Sequence, residues 1–200
     1  MGDLNGVLQI PFLSKGEIAG MTEELLGECW DGVYPVDVEK ICDYCGVAIV
    51  PVRGLMDECQ VEAFMAADFG IIYVDEYGYK NNSHRYRFSV AHELGHYMLH
   101  REYFSNRVDS YDEWRALGFD GISNVAEFQA NYYAGCLLAP EAELVGVLND
   151  KFGGSLARNY WSATPVDLSR IFGEAKRIFG VSRQVIMRRM REFAWGIEGC

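Results

Sequence analysis

The sequence predicts an α+β protein: a mainly helical body with a small, three-stranded, largely antiparallel sheet beside one central helix. Three observations lead there. Helical periodicity dominates both ends of the chain. Residues 47–74 hold three short apolar runs separated by turn residues. The helix expected next, residues 85–100, is apolar on much of its circumference through Phe88, Val90, Ala91, Leu94, Met98 and Leu99. A helix of that kind is buried, yet this one carries histidines and a glutamate.

Residues 1–13 read as an irregular or extended arm. Ser14-Lys15-Gly16-Glu17 is a capping box, in which hydroxyl and carboxylate satisfy backbone N–H groups at the helix start. The helix it opens has Ile18, Met21, Leu25 and Leu26 on one face and ends near Gly27 to Trp30. A turn at residues 32–35 leads to a second helix, begun by Pro35 or Asp37 and stopped by Gly46. Residues 47–52 form a strand. Residues 60–66 and 70–74 form two more, joined as a hairpin around Asp68-Phe69-Gly70. Asp75 to Ser83 reads as a polar loop, and residues 101–124 as a long connection whose length suits a lid. Helices are expected at about 125–138, ended by Pro140, and at 141–149, 165–179 and 182–194. Gly153-Gly154-Ser155 reads as a hinge. The chain therefore divides into a main domain, residues 1–150, and a helical C-terminal subdomain, residues 151–200, packed on it.

Half of the residues are hydrophobic, which is enough for a real core. No apolar run approaches the ~20 residues of a membrane helix. The N-terminus lacks a basic region followed by an apolar one, so a cytoplasmic protein is expected. Of the six cysteines only Cys42 and Cys45 are close. That pair has no second pair to complete a structural zinc site, and it ends a helix, so reduced thiols are expected. The net charge of −11 opposes nucleic-acid binding overall. Residues 165–200 differ: seven Lys/Arg against four Asp/Glu give +3, leaving −14 for the rest. The last two helices, broken at Gly180-Val181-Ser182 and carrying Arg183, Arg188, Arg189 and Arg191, look like a helix-turn-helix. The stretch from Ala175 to Gly180 is one residue longer than that pattern wants. Packing or partner docking is the preferred role, and direct nucleic-acid binding is not expected.

The chemistry centres on His92-Glu93-Leu94-Gly95-His96. Residues four apart on a helix stand one above the other, so His92 and His96 can bind one Zn²⁺. Glu93 lies ~100° round from His92, off the ligand axis but near enough to act as a general base on water. Three of the four histidines fall within residues 92–100. A catalytic zinc wants a third protein ligand. His100 is ~12 Å along the axis from His92, too far to share its ion. A metzincin-type pattern would need glycine at 99 and histidine at 102, which are Leu99 and Glu102. The next candidates are Glu127 and Asn131, four apart on one helical face. One can ligate while the other hydrogen-bonds a histidine ring. Asp109, Asp112 and Asp120 are the reserve candidates. Tyr79, His84 and Tyr86 precede the central helix and read as core, not as catalytic groups.

Residues 87–100, Arg87-Phe88-Ser89-Val90-Ala91-His92-Glu93-Leu94-Gly95-His96-Tyr97-Met98-Leu99-His100, together with Glu127-Phe128-Gln129-Ala130-Asn131 and Leu137-Leu138-Ala139-Pro140, resemble the ImmA/IrrE metallopeptidase family. The chain departs from that family's pattern at Gln129, Tyr133 and Ala139. The resemblance implies a zincin-like fold over residues 1–150 and a single Zn²⁺ held by His92, His96 and Glu127. Glu93 would be the catalytic base and Asn131 a supporting residue, with substrate-binding residues unassigned. It also implies a zinc-dependent endopeptidase whose protein substrate is a helix-turn-helix transcriptional repressor. In such sites a sheet edge beside the metal can take substrate as an added strand, here the 70–74 segment or its neighbour. The competing reading is a non-catalytic regulatory module that keeps the metal and acts by contact. A purely structural metal has no need of Glu93.

Overall fold

A computed structural model describes residues 10–104, 122–152 and 164–196. Helix α1 (Lys15–Cys29) begins on the expected capping box. Ser14 Oγ accepts from Glu17 N–H, and the Glu17 carboxylate accepts the Ser14 N–H at 2.8 Å. Helix α2 (Val38–Cys45) is capped by Asp37, whose Oδ1 accepts from the N–H groups of Glu39 and Lys40. It ends at Gly46, whose φ of 72° lies in the left-handed region that glycine enters freely.

Strand β1 (Ala48–Val52), helix α3 (Leu55–Cys59), strand β2 (Ala63–Met65) and strand β3 (Ile71–Asp75) follow. The sheet order is β1-β3-β2. The α+β class and the three-stranded sheet are as the sequence indicates. The sheet is mixed: β2 and β3 pair antiparallel, whereas β1 and β3 pair parallel. The parallel pairing arises because the chain leaves β1, makes α3 and β2 as a crossover, and re-enters beside β1 in the same direction. β2 is shorter than the 60–66 run because α3 extends to Cys59 and Gln60 closes it at φ 58°. Residues 76–81, read from sequence as loop, form helix α4 (Glu76–Asn81), capped by Asp75.

Helices α5 (Ser83–Phe104), α6 (Ile122–Leu138), α7 (Glu141–Phe152), α8 (Pro165–Phe179) and α9 (Arg183–Gly196) complete the described chain. α5 is central. It packs most extensively on α6 and also meets β2 and β3. One hydrophobic core runs from Ile18 and Leu25 in α1 through Ile72, Leu94 and Leu137 to Ile171, Phe179 and Met190 in α8 and α9. Gly180 ends α8 at φ 60°, and a Cβ there would stand 2.8 Å from Pro35 Cβ. Arg87 Nε donates to the Gly180 carbonyl at 3.2 Å, tying this turn to α5. Among the described residues no helix is long and apolar enough to cross a membrane. The ends of the expected lid, 101–104 and 122–124, belong to α5 and α6, while the rest of it, the hinge, and Asp109, Asp112 and Asp120 lie outside the described residues.

Candidate functional site

The site exists because α5 and α6 approach unusually closely. A Cβ on Gly95 would lie 2.9 Å from Ala130 Cα and 3.1 Å from the Ala130 carbonyl oxygen, so only glycine fits. That contact sets Glu127, almost one turn before Ala130, over the histidines of α5. His92 Nε2 and His96 Nε2 are 3.1 Å apart. Glu127 Oε2 lies 3.1 Å from His92 Nε2, and Oε1 lies 3.3 Å from His96 Nε2. One donor atom from each residue falls within 4.8 Å of the others, a group that could hold a metal ion. Burial opposes charge on Glu127, but its hydrogen bonds to His92 and His96 outweigh it and hold the carboxyl well below the usual range. Burial likewise works against a charged His92, while Glu127, Glu93 and Asn131 together raise its pKa.

Glu93 points to the sheet. Its Oε2 accepts the Met65 backbone N–H at 2.9 Å in a buried contact. Four and eight residues earlier on the same face of α5, Ser89 Oγ donates to Glu62 Oε2 at 3.1 Å and Arg85 pairs with Glu62 Oε1. This face clamps β2 to α5. Asp75 N–H donates to the Glu62 carbonyl and Ala66 N–H to the Ile71 carbonyl. By alternation Ala63 and Met65 turn their backbone groups away from β3. β3 is central, so of the two segments expected to take a substrate strand only the neighbour, β2, lies at a sheet edge among the described residues, with its outward Met65 N–H already given to Glu93.

Asn131 Nδ2 donates to the Glu127 carbonyl at 2.7 Å, and its side chain also bonds His92. Tyr86 lies elsewhere, donating its hydroxyl to Glu39 Oε1 at 2.8 Å with Tyr79 edge-on against its ring. Cys29, Cys42, Cys45, Cys59 and Cys136 are free thiols. Burial pushes the Cys45 thiol up to about 11, so the close pair is neither a thiolate site nor a disulfide.

Sequence reasoning gave no role to His100 and Gln129, which are both fully buried. They form a polar chain ending on His96, one of the three grouped donors. Gln129 Nε2 donates to the Pro11 carbonyl at 3.0 Å, and Gln129 Oε1 is 2.9 Å from His100 Nε2. His100 Nδ1 is 3.1 Å from His96 Nδ1. A carbonyl can only accept, so Gln129 turns its amide toward Pro11 and its oxygen toward His100. His100 Nε2 must then carry the proton. Burial, with His96 adding to it, lowers the His100 pKa to about 4, so the ring is neutral and its Nδ1 is a bare acceptor. His96 Nδ1 therefore donates to His100, and His96 Nε2 is the nitrogen turned toward Glu127, 3.3 Å from its Oε1. The only sequence signal was His100 four residues after His96 on the same helical face. Its partner Gln129 is visible only in three dimensions.

No curated protein matches this chain in sequence. A solved structure described as a Mycobacterium tuberculosis transcriptional regulator superposes with a TM-score of 0.56 at 18% identity, over 86% of this chain. At that identity the likeness is one of fold, and this chain matches 54% of the length of that structure. Residues 61–191, from just before β2 into α9, match the IrrE N-terminal-like domain, and the chain belongs to the Peptidase_M78 family.

Proposed function

We propose that this chain is a zinc-dependent endopeptidase acting on a protein substrate, a helix-turn-helix transcriptional repressor. The observation that supports it most is the convergence of His92, His96 and Glu127 within 4.8 Å beside a buried glutamate that is not one of the three. Two imidazoles and one carboxylate are the donor set of a catalytic zinc, which keeps a further position open. When bound there, zinc would supply Lewis-acid polarisation of the scissile carbonyl and activation of water. Glu93 is the base. Its Oε2 is held by Met65 N–H, which leaves Oε1 to take a proton from water and pass it to the leaving amine. Asn131 orients His92 and steadies the Glu127 backbone, and the Pro11–Gln129–His100 chain keeps the proton of His96 on Nδ1, away from the ion. The outer edge of β2 receives the substrate as an added strand beside Glu93, with the Met65 N–H kept by that side chain.

The metal and base roles separate experimentally. Glu93→Gln keeps the shape but cannot accept a proton, so it should retain zinc and lose cleavage. His92→Ala and His96→Ala should lose both. Glu127→Ala leaves two ligands and should bind zinc far more weakly, whereas Asn131→Ala should weaken it by the ~10–100-fold typical of supporting residues. Zinc retention after dialysis against a weak chelator, with cleavage of the co-expressed repressor, measures all five. Efficient digestion of casein would instead indicate a general peptidase. The reading as a non-catalytic regulatory module draws on the structural neighbour, a transcriptional regulator, and cleavage that Glu93→Gln does not abolish would favour it.

A further inference from the structure

The α5–α6 groove continues past the metal donors into a cleft of about 970 Å³. Phe88, one turn before His92, and Asn131, one turn after Glu127, both line it, so the cleft opens about one helical turn from the donors on each helix. α9 forms its outer wall. Lys15, Arg85, Lys176, Arg183, Arg188 and Arg191 line it with exposed side chains, and Arg189 lies at its base. These are seven of the chain's 18 Lys/Arg, in a protein of net charge −11. The lining holds one carboxylate, Glu192, which Arg189 Nη1 already bonds at 2.9 Å, and Arg85 pairs with Glu62 outside the lining. Phe88, Tyr132, Val185 and Met187 supply apolar surface between the charges.

We propose that this cleft binds an acidic segment of a polypeptide substrate and thereby positions the neighbouring peptide bond at the metal centre. The proposal rests on the peptidase reading for the second half of that statement and on charge and shape for the first. A chain with carboxylates and apolar side chains matches the mixture of cations and apolar surface. A short acidic segment meets only the cleft. A nucleic acid is a longer polyanion and would also meet the surrounding acidic surface, since residues outside 165–200 carry −14. One of the four arginines of the last helix, Arg189, is only 2% exposed and donates from Nε to the Ala139 carbonyl. It is committed to the fold.

The test uses the full chain carrying Glu93→Gln, so that binding is read without turnover. The probes are a short fluorescein-labelled peptide of alternating Glu and Leu, its Lys-for-Glu counterpart, and a labelled DNA duplex, followed by fluorescence polarisation. The acidic peptide should bind, weakening as salt rises, and the basic peptide should not. Arg188→Glu with Arg191→Glu should weaken the acidic peptide about tenfold or more. Lys40→Glu, the same kind of charge change outside the cleft, should leave it unchanged. Circular dichroism checks that the reversals remain folded, and Arg188→Gln with Arg191→Gln serves if they do not. Equal binding of both peptides, or indifference to the arginines, overturns the proposal. Tighter binding of DNA than of the acidic peptide through the same arginines overturns it in favour of a nucleic-acid face. If the wild-type chain cuts no protein but binds the acidic peptide through Arg188 and Arg191, the peptidase reading fails and the cleft assignment stands. If it cuts a repressor at an unchanged kcat/KM with both arginines reversed, the cleft assignment fails alone.

Discussion

Gly95 shows how much one missing methyl group can decide. Its contact with Ala130 sets the distance between the histidines of α5 and the carboxylate of α6. Gly95→Ala must push the helices apart, and overpacking of this kind costs about 1–3 kcal/mol. The expected result is a lower melting temperature and weaker zinc retention together. Gly20 makes the opposite case. It lies inside α1 with nothing within 4 Å of its would-be Cβ, so Gly20→Ala should stabilise the chain by about 0.5–1 kcal/mol and leave zinc alone. Gln129→Leu removes both ends of the link between Pro11 and His100. It should weaken zinc binding by ~10–100-fold, measured by chelator competition, with the ligand residues intact. At this scale helical geometry made His92, His96 and Glu93 readable from spacing alone. It could not show that Gln129 faces His100, because the two are 29 positions apart and meet only through the α5–α6 contact.

Among the elements, α4 was hidden by its composition. Tyr, Gly and Asn are poor helix formers, and residues 76–81 contain all three. The helix forms because Asp75 serves two elements at once. Its Oδ2 accepts Gly78 N–H at 3.0 Å as the cap, and its Oδ1 accepts Met56 N–H at 3.1 Å in α3. Loss of such a cap in Asp75→Ala should cost about 1–2 kcal/mol in denaturant unfolding. The Gly78 bond foremost, with Met56 acting alongside it against burial, holds the Asp75 carboxyl below its usual range. The folded pKa is thus below the unfolded one. The stabilisation is complete above the unfolded value and is lost as pH falls through the folded value. Asp75→Asn should accordingly flatten the acid limb of the stability curve. The capped helices α1 and α2 were legible because their signals are local. The parallel pairing of β1 with β3 was not, because strand direction depends on the 18-residue crossover, residues 53–70, between them.

For the molecule as a whole, the expected boundary near residue 150 meets a core that does not stop there. Ile171, Phe172, Phe179, Ile186 and Met190 are buried in the same cluster as Leu144 and Leu137. We expect a chain ended at residue 152 to lose cooperative unfolding in calorimetry, because those contacts would face water. Arg189 is the joint most exposed to test. It crosses from α9 to bond the Ala139 carbonyl and lies over the Tyr132 ring, pairs with Glu192 in its own helix, and brings Cδ to within 3.2 Å of a would-be Cβ on Gly135. Arg189→Met keeps much of the packing but abandons Glu192, and should destabilise by about 3–5 kcal/mol. The sequence showed that positive charge gathers late in the chain. It could not show that Arg189 turns inward while Lys15 and Arg85, from two distant helices, turn toward the same cleft.

The bond between Glu93 and β2 also makes the Glu93 carboxylate observable from the backbone. The Met65 amide proton is donated directly to Glu93 Oε2 at 2.9 Å. Removing the charge in Glu93→Gln would weaken the bond and move the amide resonance upfield. A nitrogen-edited spectrum would therefore report on the Glu93 side chain from a neighbouring residue, with no substrate or inhibitor present.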